Sequence, residues 1–166
     1  HVVLEEHQKE KPEIAWDGSV YLTDEQRSTV NRQPSTDKLA FIFPGQGSQY
    51  VNMGRDVLCT FPEAFEILEK ANSKFERGRL SDLIYPLPVR TKAEKTAQED
   101  ALRSTDIAQP AIGAISLAML KILERFGIKP DAVCGHSYGE LTALYAAGRI
   151  DMDTFFHLSF ARGRFM

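Results

Sequence analysis

The sequence is poor in cysteine and has no long run of charge of one sign. Its two cysteines, Cys59 and Cys134, lie inside apolar segments rather than at the spacings of a disulfide framework. This usage favours a reducing compartment, so we expect a cytoplasmic protein. The formal net charge of -3 comes from mixed signs, and no stretch of lysine and arginine is long enough to follow a phosphate backbone. We therefore expect no nucleic-acid partner.

An uninterrupted apolar run of membrane-spanning length is also missing. The longest apolar stretch lies around residues 107–123, and Gln109, Ser116 and Lys121 interrupt it. Such a stretch is typical of a buried helix, and no charged and then apolar leader opens the sequence. We therefore expect no membrane insertion. Apolar residues make up 43% and charged residues 26%, as is ordinary for a soluble globular domain.

The first 37 residues differ in composition from the rest. Residues 1–7 begin with the run HVVLEE, which predicts the last strand of a preceding domain. Residues 8–37 are polar and contain Pro12 and Pro34, which is the composition of a linker with little core of its own. We predict that the globular part covers residues 38–166.

The order of strands and helices after residue 38 predicts the fold class. The apolar run LAFIF is stopped by Pro44 and Gly45, as is typical of a strand buried on both faces of a parallel sheet. Strands that alternate with helices imply an α/β fold, with a short parallel sheet and helices on both faces. The predicted elements are strands at 39–43 and 132–134, helices at 62–75, 107–126, 137–147 and 151–166, and a charged helix or loop at 91–102.

Three local details are predicted as well. The helix at 62–75 is expected to place Phe65 and Leu68 along its apolar side. Residues 80–88 are expected to form an irregular connection, because two prolines at their end forbid a continuing helix. Gly127 is expected to end the long helix before it.

Residues 135–139, GHSYG, match the pattern G-x-S-x-G between a predicted strand and a predicted helix. In that context a sharp turn lifts the serine hydroxyl clear of the sheet, and a Cβ at either glycine would clash with the neighbouring strand and helix. The helix start also directs N–H groups toward developing negative charge. Ser137 is thus a candidate nucleophile, and a serine that only caps the helix is the alternative. His136 points away from its neighbour on such a turn and is predicted to be structural or to contact substrate, whereas His157 is predicted to lie at the surface or in packing.

The loop PGQGSQ follows the first buried strand, at the end of the sheet where open α/β folds build their sites. Its small residues let the backbone approach a ligand. The Gln46 amide could donate or orient a hydrogen bond toward an acyl oxygen. Taken alone, Pro-Gly-x-Gly is more often an ordinary loop.

Arg162 is expected to share a helix face with apolar residues such as Phe155 and Leu158. A guanidinium directed to that side needs an anion, because an unpaired charge there is costly. Its planar shape binds a carboxylate through two hydrogen bonds, as a lysine does not. A structural salt bridge with a carboxylate at the edge of the core is the alternative.

Taken together, these motifs resemble the malonyl-CoA:acyl carrier protein transacylase family, which includes the acyltransferase domains of polyketide and polyunsaturated fatty acid synthases. The resemblance covers residues 38–166 in order and spacing. The HVVLEE opening resembles the last strand of a β-ketoacyl synthase, the domain that precedes such acyltransferases. The segments that carry the resemblance are FPGQGSQ (43–49), TDIAQPA (105–111), GHSYGE (135–140) and ARGRFM (161–166).

The resemblance implies a ping-pong reaction. Ser137 would attack the thioester of an acyl-CoA, and the phosphopantetheine thiol of an acyl carrier protein would then collect the acyl group. Backbone N–H groups of Gln46 and Tyr138 would form the oxyanion hole. It implies no metal and no permanently bound cofactor, and the partners would be malonyl-CoA or a related acyl-CoA, the carrier protein and an adjoining ketosynthase domain. The substrate-binding residues that it implies are Arg162, Gln109 and His136.

The resemblance also implies which part of the domain is present. Residues 38–166 would be the N-terminal part of its α/β-hydrolase-like large subdomain. In the family, the general-base histidine and a small ferredoxin-like subdomain follow, so we expect both to lie beyond Met166. The segment 8–37 is also shorter than the usual linker domain. If the 166 residues acted alone, we would expect little or no turnover, because a serine without its base is acylated slowly.

Two other functions remain open at this point. An α/β-hydrolase-type esterase or thioesterase shares the serine turn, but it has no reason to bind a carboxylate beside the acyl group, as Arg162 suggests. A non-catalytic fragment that only holds synthase domains together would leave Ser137 unlabelled. Malonyl is favoured as the acyl group because Arg162 suits a dicarboxylate and because the bulk of Tyr138 is expected to leave less room.

Overall fold

A computed structural model describes residues 20–22 and 38–166. The predicted strand at 1–7 and most of the predicted linker at 8–37 lie outside these residues. One three-stranded sheet has the order β1-β3-β2, in which β2 and β3 are parallel and β1 pairs antiparallel with β3. The strands are β1 (Val20–Leu22), β2 (Ala40–Phe43) and β3 (Ala132–Gly135). The α/β prediction is confirmed, and β1 is a strand that the polar composition of 8–37 did not reveal.

The predicted helices at 62–75, 107–126 and 151–166 are confirmed to within two residues at each end. The charged segment at 91–102 is also a helix. Its start is fixed by Thr91, whose hydroxyl accepts a hydrogen bond from the Glu94 N–H while the Glu94 carboxylate accepts one from the Thr91 N–H. The helices are α1 (Arg55–Thr60), α2 (Pro62–Lys74), α3 (Leu80–Ile84), α4 (Lys92–Arg103), α5 (Thr105–Arg125), α6 (Gly139–Ala146) and α7 (Met152–Phe165).

Two local predictions are wrong. Residues 80–84 form the helix α3, because both prolines come after its last residue and do not interrupt it, and burial of Leu80 and Ile84 fixes it to the core. Phe65 is 52% exposed, whereas Leu68 is buried as expected. The apolar stripe of α2 is centred one position away from Phe65, on Ala64, Ile67, Leu68 and Ala71.

Helix α5 lies at the centre of the core, packed between α2 and α7. It is long and apolar enough to span a membrane, yet 67% of its most apolar stretch is buried inside the protein. This burial confirms the prediction of a buried core helix.

The parallel register of β2 and β3 determines where the candidate site lies. Phe43 pairs with Gly135 at the carboxyl ends of the two strands, and the His136 N–H continues the ladder by donating to the Phe43 carbonyl at 3.1 Å. The loop after β2 and the turn after β3 therefore meet at one edge of the sheet.

The two faces of the sheet differ in burial. Phe43 and Val133 lie on the face covered by α6, through Ala143 and Ala147, and are buried. Ile42 points to the opposite face and is 74% exposed, so the prediction that β2 is buried on both faces is wrong. Because α6 follows directly after β3, its packing on this face fixes the direction in which the chain leaves the turn.

Candidate active site

Ser137 has a left-handed backbone conformation, with φ of 53°. A serine adopts this conformation at a cost of roughly 1–2 kcal/mol, and it persists where the surrounding structure imposes it. Here the Gly139 N–H donates to the His136 carbonyl at 2.9 Å and closes the turn. Helix α6 begins at Gly139 rather than at the predicted residue 137, because residues 137 and 138 form the turn itself. The Ser137 side chain is exposed at the end of β3.

Three glycines allow the backbone segments around this turn to touch. A Cβ on Gly135 would lie 2.0 Å from the Gly139 carbonyl carbon, and one on Gly139 would lie 2.1 Å from the Phe43 carbonyl oxygen. Both contacts are with backbone atoms, which cannot move aside, so the steric role predicted for the flanking glycines is confirmed. A Cβ on Gly45 would likewise lie 2.4 Å from the His136 carbonyl oxygen. The PGQGSQ loop is thus in direct contact with the serine turn.

The side chain of Gln46 ties this loop to the start of α5. Its Nε2 donates to Thr105 Oγ1 at 3.3 Å, and its Oε1 accepts from Gln109 Nε2 at 3.1 Å. Gln109 is 1% exposed, so its amide is held firmly. The Gln46 side-chain amide is therefore engaged by α5, whereas the sequence motif predicts an amide directed toward an acyl oxygen. Thr105 belongs to the quoted segment TDIAQPA, but no pattern in the sequence pointed to it.

Arg162 brings α7 to the same place. Its Nη1 donates to Gln109 Oε1 at 3.1 Å, and its Nη2 donates to Ser137 Oγ at 3.4 Å, a long hydrogen bond. Within residues 38–166 no carboxylate lies at salt-bridge distance from it, in contrast to Arg164, which pairs with Glu76 at 2.6 Å. A half-buried guanidinium beside an exposed hydroxyl is a ready site for an anion.

The Tyr138 side chain is buried completely, and its hydroxyl lies 2.6 Å from Ser159 Oγ on α7. Burial raises the pKa of Tyr138, while the hydrogen bond with Ser159 and the charge of Arg162 act against this rise, so the phenol is neutral at physiological pH. The ring occupies the core and not the open space beside Ser137. This contradicts the expectation that the bulk of Tyr138 limits the size of the acyl group.

The two histidines of residues 38–166 do not hydrogen-bond to Ser137. His136 is exposed, and its ring Nδ1 lies against Gly45, with 3.0 Å to the position of an added Cβ. His157 is exposed on α7, as predicted. Neither of these two histidines is therefore placed to act as the general base. The structure brings together the other predicted site residues, since Gln109, Arg162 and Ser137 form one hydrogen-bonded chain.

Two further features lie outside this cluster. Among the described residues, no group of three or more His, Cys, Asp and Glu side chains is placed to hold a metal ion. A groove of about 380 Å³ runs between β2 and α5, lined by residues that include Ile42, Tyr50, Ile115 and Met119. Ser137 does not line this groove.

The chain matches known proteins over most of its length. A family model described as the acyl transferase domain matches residues 40–166. A highly reducing polyketide synthase of Emericella nidulans is 39% identical over 140 residues, which cover 82% of this chain and 5% of the synthase. The chain thus spans about a twentieth of the length of this curated relative.

Solved structures show the same similarity. The malonyl CoA-acyl carrier protein transacylase of Clostridium perfringens is 32% identical, with a TM-score of 0.66 over 78% of this chain and 38% of that one. A malonyl-transacylase solved in complex with its type II polyketide acyl-carrier protein is 32% identical, with a TM-score of 0.67 over 77% of this chain and 38% of that one. The described fold therefore corresponds to about two fifths of these transacylases.

Proposed function

Because this chain belongs to the acyl transferase domain family, we propose that residues 38–166 are the N-terminal part of an acyltransferase domain in which Ser137 carries the acyl group. The family inferred from the sequence motifs is the one that matches. We further propose that residues 1–7 end a preceding ketosynthase domain and that residues 8–37 connect the two, as suits the multidomain synthases among the relatives.

The proposed reaction has two half-reactions at one hydroxyl. In the first, Ser137 Oγ bonds to the thioester carbonyl carbon of an acyl-CoA, loses its proton to a base, and the CoA thiolate leaves and is protonated. In the second, the phosphopantetheine thiol of a carrier protein attacks the serine ester, and Ser137 regains its proton as the acyl group leaves on sulfur. Both steps pass through a negatively charged carbonyl oxygen.

The geometry of the turn supports a place for that oxygen. The backbone N–H of Tyr138 starts α6 beside Ser137, and the backbone of Gln46 adjoins Gly45, which touches the turn. We propose that these two N–H groups form the oxyanion hole. Loss of one such donor typically costs about 2.7–4 kcal/mol of transition-state stabilisation.

The observation that carries the proposal is the contact of 3.4 Å between Arg162 Nη2 and Ser137 Oγ. A guanidinium with no carboxylate partner in residues 38–166, held by buried Gln109, suits the free carboxylate of a malonyl group on the serine. A neutral acyl chain would leave that charge without a counterion. We therefore propose a malonyl or related carboxylated acyl group as the cargo, with His136 and Gln109 near it.

The acceptor and the base come from elsewhere. One similar transacylase was solved with its acyl-carrier protein, and we propose the same class of partner here. Neither histidine of residues 38–166 reaches Ser137, so we propose that a histidine outside the described residues takes its proton. No metal or resident cofactor is part of the proposal.

Acylation by radiolabelled malonyl-CoA tests this function. The full-length protein should gain one acid-stable label, located on the peptide that contains Ser137, and a carrier protein should remove it. The matched control is Ser137→Ala, which should gain none. Stable label on the Ser137→Ala variant would refute the assignment of the nucleophile.

The same assay separates the alternatives. A hydrolase-type thioesterase would release free malonate without a thiol acceptor and would act at least as well on a neutral acyl thioester. A non-catalytic docking segment would leave Ser137 unlabelled in the full-length protein. Either result would replace the proposed function.

A further inference from the structure

We infer that Tyr138 is a positioning residue, which holds Arg162 over Ser137 through the buried hydrogen bond between its hydroxyl and Ser159. This inference rests on the proposed function, because it assigns Arg162 to the carboxylate of the acyl group. It concerns how the arginine is held in place and not which residues touch the substrate.

The hydrogen bond joins the serine turn to α7. Tyr138 and Ser159 are both fully buried, and their oxygens are 2.6 Å apart. Ser159 precedes Arg162 by three residues on α7, so the two side chains lie on the same side of that helix. Fixing Ser159 therefore fixes the turn of helix from which the guanidinium extends.

Helix α5 has a gap that admits the tyrosine hydroxyl. A Cβ on Gly113 would lie 2.0 Å from the Tyr138 hydroxyl oxygen and 2.8 Å from Phe155 Cζ. A glycine inside a helix costs roughly 0.5–1 kcal/mol relative to alanine. Because Gly113 has no Cβ, the Tyr138 hydroxyl has room to reach Ser159 on α7.

The ring of Tyr138 adds a direct contact. The guanidinium carbon of Arg162 lies 5.8 Å from the ring centroid, within the range of a cation–π interaction. Tyr138 also follows the nucleophile directly in the chain, so one residue connects the backbone of Ser137 with the group proposed to bind the acyl carboxylate. A phenylalanine at 138 would keep the ring but lose the link to Ser159.

The test compares two acyl donors in the full-length protein. We would measure kcat/KM for malonyl-CoA and for acetyl-CoA in Tyr138→Phe, Ser159→Ala and the double variant. Each should lose about ten times more of its malonyl transfer than of its acetyl transfer, because only the malonyl reaction uses Arg162. The double variant should resemble the single ones, since both changes break one link. Tyr145→Phe is the matched control, because it removes a phenol from α6 that does not contact Arg162.

Melting temperature separates positioning from stability. Tyr138→Phe leaves the buried hydroxyl of Ser159 unpaired and should lower the melting temperature. The double variant should recover part of that loss in melting temperature without recovering the malonyl preference. An unchanged ratio of malonyl to acetyl transfer in Tyr138→Phe, or an equal fall for both donors, would overturn the inference while leaving the proposed function in place. A wild-type protein that transfers no malonyl group would overturn both.

Discussion

The guanidinium of Arg162 lies 3.4 Å from the hydroxyl of Ser137, although 25 positions separate the two residues in the sequence. This contact exists because α7 packs along α5, which places Arg162 beside Gln109, while the turn after β3 raises Ser137 to the same level. The guanidinium proposed to bind a carboxylate and the hydroxyl proposed to carry the acyl group are thus neighbours.

Replacing Arg162 with lysine should reduce malonyl transfer about tenfold, because an ammonium group cannot make the paired hydrogen bonds of a guanidinium. Transfer of acetyl, which has no carboxylate, should change little. The measurement is kcat/KM with each CoA ester. Arg164→Lys is the control, since Arg164 pairs with Glu76 and points away from the site. Equal losses for both donors would argue against a carboxylate contact.

Glycine at position 137 should give a more stable protein than alanine, by about 1 kcal/mol. The φ of 53° at this position is free of strain for glycine but not for a residue with a Cβ. Neither variant has the hydroxyl that we propose as the nucleophile, so both should fail to form the acyl-enzyme. Urea unfolding of Ser137→Gly and Ser137→Ala gives the comparison. An alanine variant as stable as the glycine variant would show that the turn relaxes.

Alanine at position 139 should lower the free energy of unfolding by roughly 3 kcal/mol, because its Cβ would meet the Phe43 carbonyl oxygen at 2.1 Å. It should also reduce acylation of Ser137 by displacing the turn. Gly148→Ala is the control. That residue has φ of 69° but nothing within 4 Å of an added Cβ, so only backbone strain of about 1 kcal/mol is expected. A smaller loss of unfolding free energy in Gly139→Ala than in Gly148→Ala would contradict the steric argument.

Protonation of Asp106 should lower the free energy of unfolding in acid. A hydrogen bond from the Ser104 hydroxyl holds the pKa of the Asp106 carboxyl below its usual range, with help from the charge and hydrogen bond of Arg77, while partial burial opposes this. The unfolded value is about 3.9. A carboxyl whose pKa is lowered by folding stabilises the folded protein at pH values above its unfolded pKa. This stabilisation is lost as the pH falls through the folded pKa.

The corresponding variant is Asp106→Asn. It should be less stable than wild type at pH 7, and the difference should narrow as pH is lowered below about 4. Asp56→Asn is the control, because Asp56 also lies in the first turn of its helix but is exposed. Urea midpoints across this pH range give the result. A difference that stays constant into acid would exclude the ionised carboxylate as its cause.

The serine turn could be predicted from sequence because its geometry depends on five adjacent residues. Two glycines around a serine, between an apolar strand and a helix, leave few backbone solutions, and the contacts of Gly135 and Gly139 are those expected. The existence of strand β2 was predictable for a similar reason, whereas its burial on both faces was predicted wrongly. Its apolar run and the Pro44-Gly45 stop are local signals.

Other features depend on distant residues and left no such signal. Tyr138 and Ser159 are 21 positions apart, and helical periodicity indicates only that each is buried, not that their oxygens meet. A glycine is needed at position 113 because the Tyr138 hydroxyl occupies the space that a Cβ would fill. Strand β1 was missed because a three-residue antiparallel strand needs only its backbone to pair with β3. Pro86 and Pro88 led to the prediction of an irregular segment, but α3 ends at Ile84, before either proline.

Strand β2 forms one end of the sheet, and Ile42 projects from it with 74% of its surface exposed. An end strand with an apolar side chain is a template on which a second polypeptide can add its own strand. Preparations of residues 1–166 should therefore self-associate as concentration rises, and Ile42→Lys should suppress this self-association. Ile42 is not part of the hydrogen-bonded chain of Gln109, Arg162 and Ser137, so the substitution leaves those contacts in place.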